Sequence, residues 1–260
     1  MSIKVDKKNL KKLIKIIKLT KNKIPVFVLG NGSNTLFLNY NGLVICTRKL
    51  NKVKVKKNKV YAECGVNLFN LNLTLKQNGL SGAEFSFGIP ATVGGACYNN
   101  AGAYGGQFGD IVEQVLVYDK KVRVIKRKDL FFSYRNSSLK QNNQIILGAV
   151  LKLEKSTSEK IDEKMKCFYK KRLDTQPKQP SAGSVFKRDG EIIPAKIIDN
   201  LSLKCVKING AMISEKHAGF IVNFNNATPE DVVKLIGLIK QKVKTQHNIE
   251  LQQEIEIIGE

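Results

Sequence analysis

The stretch Ile24-Pro-Val-Phe-Val-Leu-Gly-Asn-Gly-Ser-Asn-Thr-Leu-Phe-Leu38 decides the fold class. Its first half is a short apolar, β-rich run, and Gly30, Asn31, Gly32, Ser33 and Asn34 form the loop after it. The loop invites comparison with the dinucleotide fingerprint GxGxxG, and it fails. Thr35 stands where the third glycine belongs, and strand-like residues follow where the fingerprint needs a helix. The unit is therefore a strand–loop–strand turn. Such a turn can still present backbone N–H groups to an anion, with Ser33 and Asn34 adding donors.

Working outward, Thr35 to Leu38 and Leu43 to Thr47 read as strands around an Asn41-Gly42 turn. Alternation marks further strands at residues 52–55 and 60–62, and residues 67–77 read as a helix closing at Asn78-Gly79. Residues 111–118 and 122–126 suit a hairpin, and 145–153 form a strong strand. A polar stretch, 154–163, then changes the composition, and the domain boundary is expected near Ser156, giving parts 1–155 and 156–260. The second part is expected to hold helices at 161–173, 194–200 and 229–246, with short strands near 206–208, 212–213, 221–223 and 254–258. Strands mixed with helices in both parts imply an α+β fold.

Between these elements lies a second glycine-rich stretch, from Gly88, Ile89, Pro90 and Thr92 through Gly94 and Gly95 to Asn100, Gly102 and Gly106. It carries little helix or strand signal. A long loop without a regular pattern inside a compact domain is often functional. Small residues there would let a flat ligand lie against the backbone. Three side chains fit a charged substrate: the hydroxyl of Ser184, the guanidinium of Arg135 and the carboxylate of Glu254. Each taken alone reads as a turn serine, a surface arginine and a solvated strand face. Together with two glycine loops they read as a cofactor-dependent enzyme.

Composition narrows the class. The chain has 260 residues, and 42% are hydrophobic, enough to bury a core. No apolar run approaches the roughly 20 residues that span a bilayer. Residues 1–20 lack the features of a secretory signal, and Leu10, Leu13, Ile14 and Ile17 lie on one helical face. Cys46, Cys64, Cys97, Cys167 and Cys205 are scattered, with no CxxC pair, so neither a disulfide framework nor a metal site is expected. A cytosolic protein follows. The net charge is +22, but the excess is mostly lysine spread along the chain, and six residues are Arg. A codon bias explains that as well as a partner does, and no nucleic-acid module is present.

Seven ordered segments carry a family resemblance. They are Val28-Leu-Gly-Asn-Gly-Ser-Asn34, Gly88-Ile-Pro-Ala-Thr-Val-Gly-Gly95, Asn100-Ala-Gly-Ala-Tyr-Gly-Gly106, Tyr134-Arg-Asn-Ser137, Gln179-Pro-Ser-Ala-Gly-Ser-Val-Phe-Lys187, Ser214-Glu-Lys-His-Ala-Gly-Phe-Ile-Val-Asn223 and Glu254-Ile-Glu-Ile-Ile-Gly-Glu260. The chain resembles the UDP-N-acetylenolpyruvoylglucosamine reductases, in the shorter subtype without the Tyr-loop insertion. The resemblance implies an FAD-binding fold of the vanillyl-alcohol-oxidase (PCMH) type, followed by a smaller α+β substrate-binding domain. It also implies a bacterial, cytoplasmic monomer in peptidoglycan precursor synthesis.

It implies non-covalent FAD held by Gly30, Asn31, Gly32, Ser33, Asn34, Gly88, Ile89, Pro90, Thr92, Gly94, Gly95, Asn100 and Gly102, with NADPH as hydride donor. The implied substrate is UDP-N-acetylglucosamine enolpyruvate. Arg135, Glu254 and the proton donor Ser184 match the catalytic set, while Tyr134, Lys187, Lys216 and His217 are candidate substrate contacts. A relative of the same fold with another substrate, or without catalysis, is the alternative. Two departures stand out. The family opens with a segment like Asn-Thr-Phe-x-x-Gly-Gly that is missing here, so a different stability or flavin affinity, or another start, is expected. Lys187-Arg188-Asp189 replaces Lys-Asn-Pro as a loop variation.

Overall fold

A computed structural model of the chain describes residues 11, 12, 14, 15, 24–142 and 144–260. Leu10, Leu13 and Ile17 of the expected first helix lie outside them. The chain divides into two compact units, Met1–Asn31 with Asn41–Lys170, and Gly32–Tyr40 with Lys171–Glu260. The helix Ser158–Thr175 carries the chain from the first to the second. The boundary expected near Ser156 falls just before that helix, and the change of unit falls within it.

The first unit is built on a five-stranded antiparallel sheet. Its order is Lys121–Lys126, Val112–Asp119, Ile145–Lys152, Lys59–Glu63, Val53–Lys56. The central strand reads Ile-Ile-Leu-Gly-Ala-Val-Leu-Lys and is buried from Ile146 to Leu151. A continuous apolar run of this kind belongs in a strand covered on both faces. The two edge strands alternate or mix lysine with valine and are largely exposed. Charged edges discourage pairing with another chain.

The helix Leu68–Gln77 starts because the Asn67 side chain accepts from Asn70 N at 2.7 Å. It buries Leu68, Leu71 and Leu75, spaced as one helical stripe, and ends at Asn78 and at Gly79, whose φ is +60°. The stretch from Gly88 onward is more regular than its sequence suggests. It contains a short helix Val93–Tyr98, a two-residue ladder Gly102–Ala103 with Gly106–Gln107, and a helical turn Phe108–Ile111. Small residues hide these elements because tertiary packing, not propensity, holds them.

The strands around Asn41-Gly42 exist, but they do not form a hairpin. Leu43–Cys46 pairs in parallel with Val26–Leu29 in the first unit. Thr35–Phe37 pairs in parallel with Glu256–Ile258 in the second. The Asn-Gly pair is a local signal, and it is overridden by a partner at the far end of the chain.

The second unit has a four-stranded antiparallel sheet, Ser181–Ser184, Phe220–Asn223, Ala211–Ile213, Lys207–Ile208. The long helix Pro229–His247 buries Leu235, Ile236, Ile239 and Val243 in a core with Ile213, Ile221 and Val185. Full burial of each such side chain contributes about 1.5–3 kcal/mol. The helix opens with a reciprocal cap: Asp231 N donates to Thr228 Oγ1 at 3.3 Å and Thr228 N donates to the Asp231 carboxylate at 2.9 Å. Asn209 donates to the same carboxylate at 2.7 Å.

Those donors, led by the Thr228 amide, hold the Asp231 carboxyl below its ordinary value of 3.8. A carboxyl depressed by folding adds stability that is complete above 3.8 and is lost as pH falls through the depressed value. Asp231→Ala is therefore expected to melt lower than the parent at about pH 7, with the gap narrowing towards about pH 3. Thermal melts across that range check this. A gap independent of pH would show that the charge contributes nothing.

Candidate active site

The first glycine loop follows the strand Val26–Leu29 and rests on the second. A Cβ on Gly30 would lie 2.6 Å from Thr92 Oγ1, so only glycine permits this approach. Asn31 Nδ2 donates to Pro90 O at 2.9 Å. Thr92 in turn caps the helix Val93–Tyr98, its hydroxyl accepting from Gly95 N at 3.3 Å. A Cβ on Gly94 would lie 2.9 Å from Cys64 Cβ. Gly32 and Gly88 take φ of +71° and +83°, which an L side chain rarely adopts.

Beside these loops opens a cleft of about 370 Å³ whose lining includes Asn31, Arg48, Asn67, Asn70, Thr74 and Thr92. The residues lining it offer amides, hydroxyls and one guanidinium, and no carboxylate. Arg48, Asn67, Asn70 and Thr74 were not legible as site residues. Asn67 reads only as a helix cap, and nothing local marks Arg48.

Arg135 sits at the tip of a hairpin, Phe132–Ser133 with Asn136–Ser137. Its φ is +53°, in the left-handed region. The guanidinium lies over the half-exposed Tyr134 ring at 5.1 Å and donates to Gly102 O at 3.2 Å. This hairpin was absent from the sequence expectation, because two-residue strands carry no periodicity.

Ser184 and Glu254 meet in the second unit. Ser184 ends the strand Ser181–Ser184, opposite Phe220. Glu254 N donates to Val185 O at 2.7 Å, and Lys187 N donates to Gln252 O at 2.8 Å. Asn34 joins them, its Nδ2 donating to Glu254 O at 3.2 Å. Gly183, at φ +85°, faces the Ser33 carbonyl. Two residues expected at the cofactor thus share a unit with two expected at the substrate.

The other candidates are held as follows. Lys216 Nζ donates to Leu173 O near the end of the helix Ser158–Thr175, where a cation suits the free carbonyls. His217 is half-buried, accepts from Gly219 N at 3.1 Å through Nδ1, and packs edge-on to Phe220 at 4.9 Å. Burial, with the nearby cations Arg188 and Lys204, lowers its pKa below 6.5 against a backbone hydrogen bond that raises it. With Nδ1 accepting from Gly219 N, Nε2 is the ring nitrogen left to face a ligand.

Comparison with known proteins interprets this geometry. A family model described as FAD binding domain matches residues 4–126, and one described as UDP-N-acetylenolpyruvoylglucosamine reductase, C-terminal domain, matches residues 176–258. The UDP-N-acetylenolpyruvoylglucosamine reductase of Caldicellulosiruptor bescii is 44% identical over 97% of this chain and 83% of its own. That of Thermotoga maritima is 44% identical over 90% of this chain and 84% of its own. The chain belongs to the UDP-N-acetylenolpyruvoylglucosamine reductase family. The crystal structure of the Thermus caldophilus reductase has a TM-score of 0.81 at 34% identity, covering 91% of this chain and 86% of that one.

The fold expected of this reductase, an FAD-binding part followed by a smaller α+β part, is borne out. The residues fit FAD, whose reductant in this family is NADPH. Two glycine-rich backbones meet where a Cβ would collide, beside a cleft of neutral polar groups and one guanidinium. Gly94→Ala should push the second loop away from Cys64, cost roughly 1–3 kcal/mol and lower the flavin retained on purification. The flavin-to-protein absorbance ratio and a thermal melt check this. A destabilised protein with full flavin content would separate the loop from the cofactor.

Proposed function

We propose that the chain reduces the enolpyruvyl group of UDP-N-acetylglucosamine enolpyruvate to the lactyl ether of UDP-N-acetylmuramate, a cytoplasmic step in bacterial peptidoglycan precursor synthesis. The chain acts as a monomer. FAD, when bound, supplies hydride to C3 of the enolpyruvyl group after taking it from NADPH. The protein's own residues then have two tasks.

The first is to hold the substrate carboxylate while negative charge builds on it. Arg135 suits this: a planar guanidinium keeps its charge at any working pH and can bind a carboxylate in two places. The second is to deliver a proton to C2. Ser184 is the donor, in a glycine-flanked segment that turns at Gly183. Glu254 stands on the neighbouring segment and shares in stabilising the enolate or passing the proton. It can help an anion there only if it is protonated or hydrogen-bonded. Gly30, Asn31, Gly32, Ser33 and Asn34 hold the FAD diphosphate, and Gly88, Ile89, Pro90, Thr92, Gly94, Gly95 and Gly102 line the flavin. Tyr134, Lys187, Lys216 and His217 contact the substrate.

The observation that carries this reading is the backbone bond from Glu254 N to Val185 O at 2.7 Å. It holds the carboxylate-bearing residue against the segment of the proposed proton donor. The direct test is NADPH oxidation by the FAD-loaded protein with and without UDP-N-acetylglucosamine enolpyruvate. Turnover that requires the enolpyruvate is expected, and bound FAD without such turnover would point to another substrate. Ser184→Ala is expected to keep NADPH-driven flavin reduction and to slow product formation by ~10²–10⁴-fold. Stopped-flow measurement of the two half-reactions separates these effects, and equal losses in both would remove Ser184 from the proton-donor role.

A further inference from the structure

Asn100 occupies an unusual position. Its side chain is 1% exposed and its backbone has φ +44°, in the left-handed region. Its amide makes three hydrogen bonds. Nδ2 donates to Gln107 Oε1 and to Ser133 O, each at 2.8 Å, and Oδ1 accepts from Gly109 N at 2.8 Å. The chemistry of the partners fixes the orientation of the amide, since Ser133 O can only accept and Gly109 N can only donate. Both amide N–H groups are therefore committed within the protein. The side-chain amide of this residue, which the sequence places at the cofactor, has no N–H left to offer a ligand.

What the amide does instead is join two pieces of chain. One is the glycine-rich stretch, through Gln107 and Gly109. The other is the Arg135 hairpin, through Ser133, which is paired with Asn136. The neighbouring ties are at the hairpin's far end or its tip: Ser137 Oγ donates to Tyr98 O at 2.7 Å, Lys140 Nζ donates to Asn99 Oδ1 at 2.9 Å, and Arg135 donates to Gly102 O at 3.2 Å. Asn100 is the buried tie at the incoming strand, two residues before the guanidinium.

We propose that Asn100 is a positioning residue for Arg135: its amide fixes the incoming strand of the hairpin, and so the direction of the guanidinium, in the half-reaction with the enolpyruvate. This rests on the role proposed above for Arg135. Asn100→Gly is the informative change, because glycine accepts the backbone conformation and removes only the side chain. Asn100→Asp, which keeps the acceptor and loses both donors, serves if the glycine variant does not fold.

Two measurements decide the matter. Hydrogen exchange of the FAD-loaded protein should rise in residues 132–137 of the variant, a result that does not depend on any substrate. Unchanged exchange there would overturn the brace itself. In single-turnover kinetics the variant should keep NADPH-driven flavin reduction and lose roughly 10–100-fold in reoxidation by UDP-N-acetylglucosamine enolpyruvate, the scale of a misplaced group. In an Arg135→Ala background the same change should cost nothing further in that step. Losses that multiply in the double variant, or that fall equally on both half-reactions, would overturn positioning. Failure of the parent itself to be reoxidised by the enolpyruvate would instead sink the substrate assignment, leaving hydrogen exchange to judge the brace.

Discussion

Three residues of parallel ladder, Thr35–Phe37 beside Glu256–Ile258, fix the backbone around Glu254. Asn34, just before the ladder, receives Glu256 N on its carbonyl at 2.9 Å and donates its side chain to Glu254 O at 3.2 Å. Glu254 N is bound on its other side by Val185 O. The residue is thus gripped through its backbone from two directions. A two-stranded ladder is marginal by itself. This one persists because Ile255 is buried and Ile257 packs on the same core as the helix Pro229–His247. The hydrophobic core of the second unit therefore sets the placement of a polar group at its site.

That ladder also explains which parts of the sequence were legible. The helices Pro194–Asn200 and Pro229–His247 and the hydrophobic central strand Ile145–Lys152 follow from periodicity and apolar runs, and lie where pattern puts them. Pairing partners are a different kind of information. Nothing in Thr35-Leu36-Phe37 specifies a strand at the opposite end of the chain, while Asn41-Gly42 suggests a local hairpin. The strands were correct and their partners were not, because a turn signal is weighed over a few residues and a ladder over the whole chain.

The site shows the same division. Ser184, Arg135 and Glu254 each read alone as ordinary residues, and only the ordered segments that contain them single them out. Asn100 could be placed near the cofactor loop but not given its task, since an amide is equally suited to a ligand or to its own backbone. Only its three partners decide that. Arg48 and Asn70, which line the cleft, carry no local signal at all.

The Arg135 hairpin shows how the magnitudes balance. A non-glycine residue held in the left-handed region costs on the order of 1–3 kcal/mol. Asn100 itself adds a second such residue. Against this stand the amide's three bonds and the Ser137 bond to Tyr98 O, each contributing about 0.5–1.5 kcal/mol net. The two sums are of the same size, so the hairpin keeps its strained tip only while its buried ties are intact. A hairpin of two-residue strands has no sheet to lean on. Its geometry is held by side chains that reach back into the glycine-rich stretch, and the direction of the guanidinium is a property of those side chains as much as of Arg135.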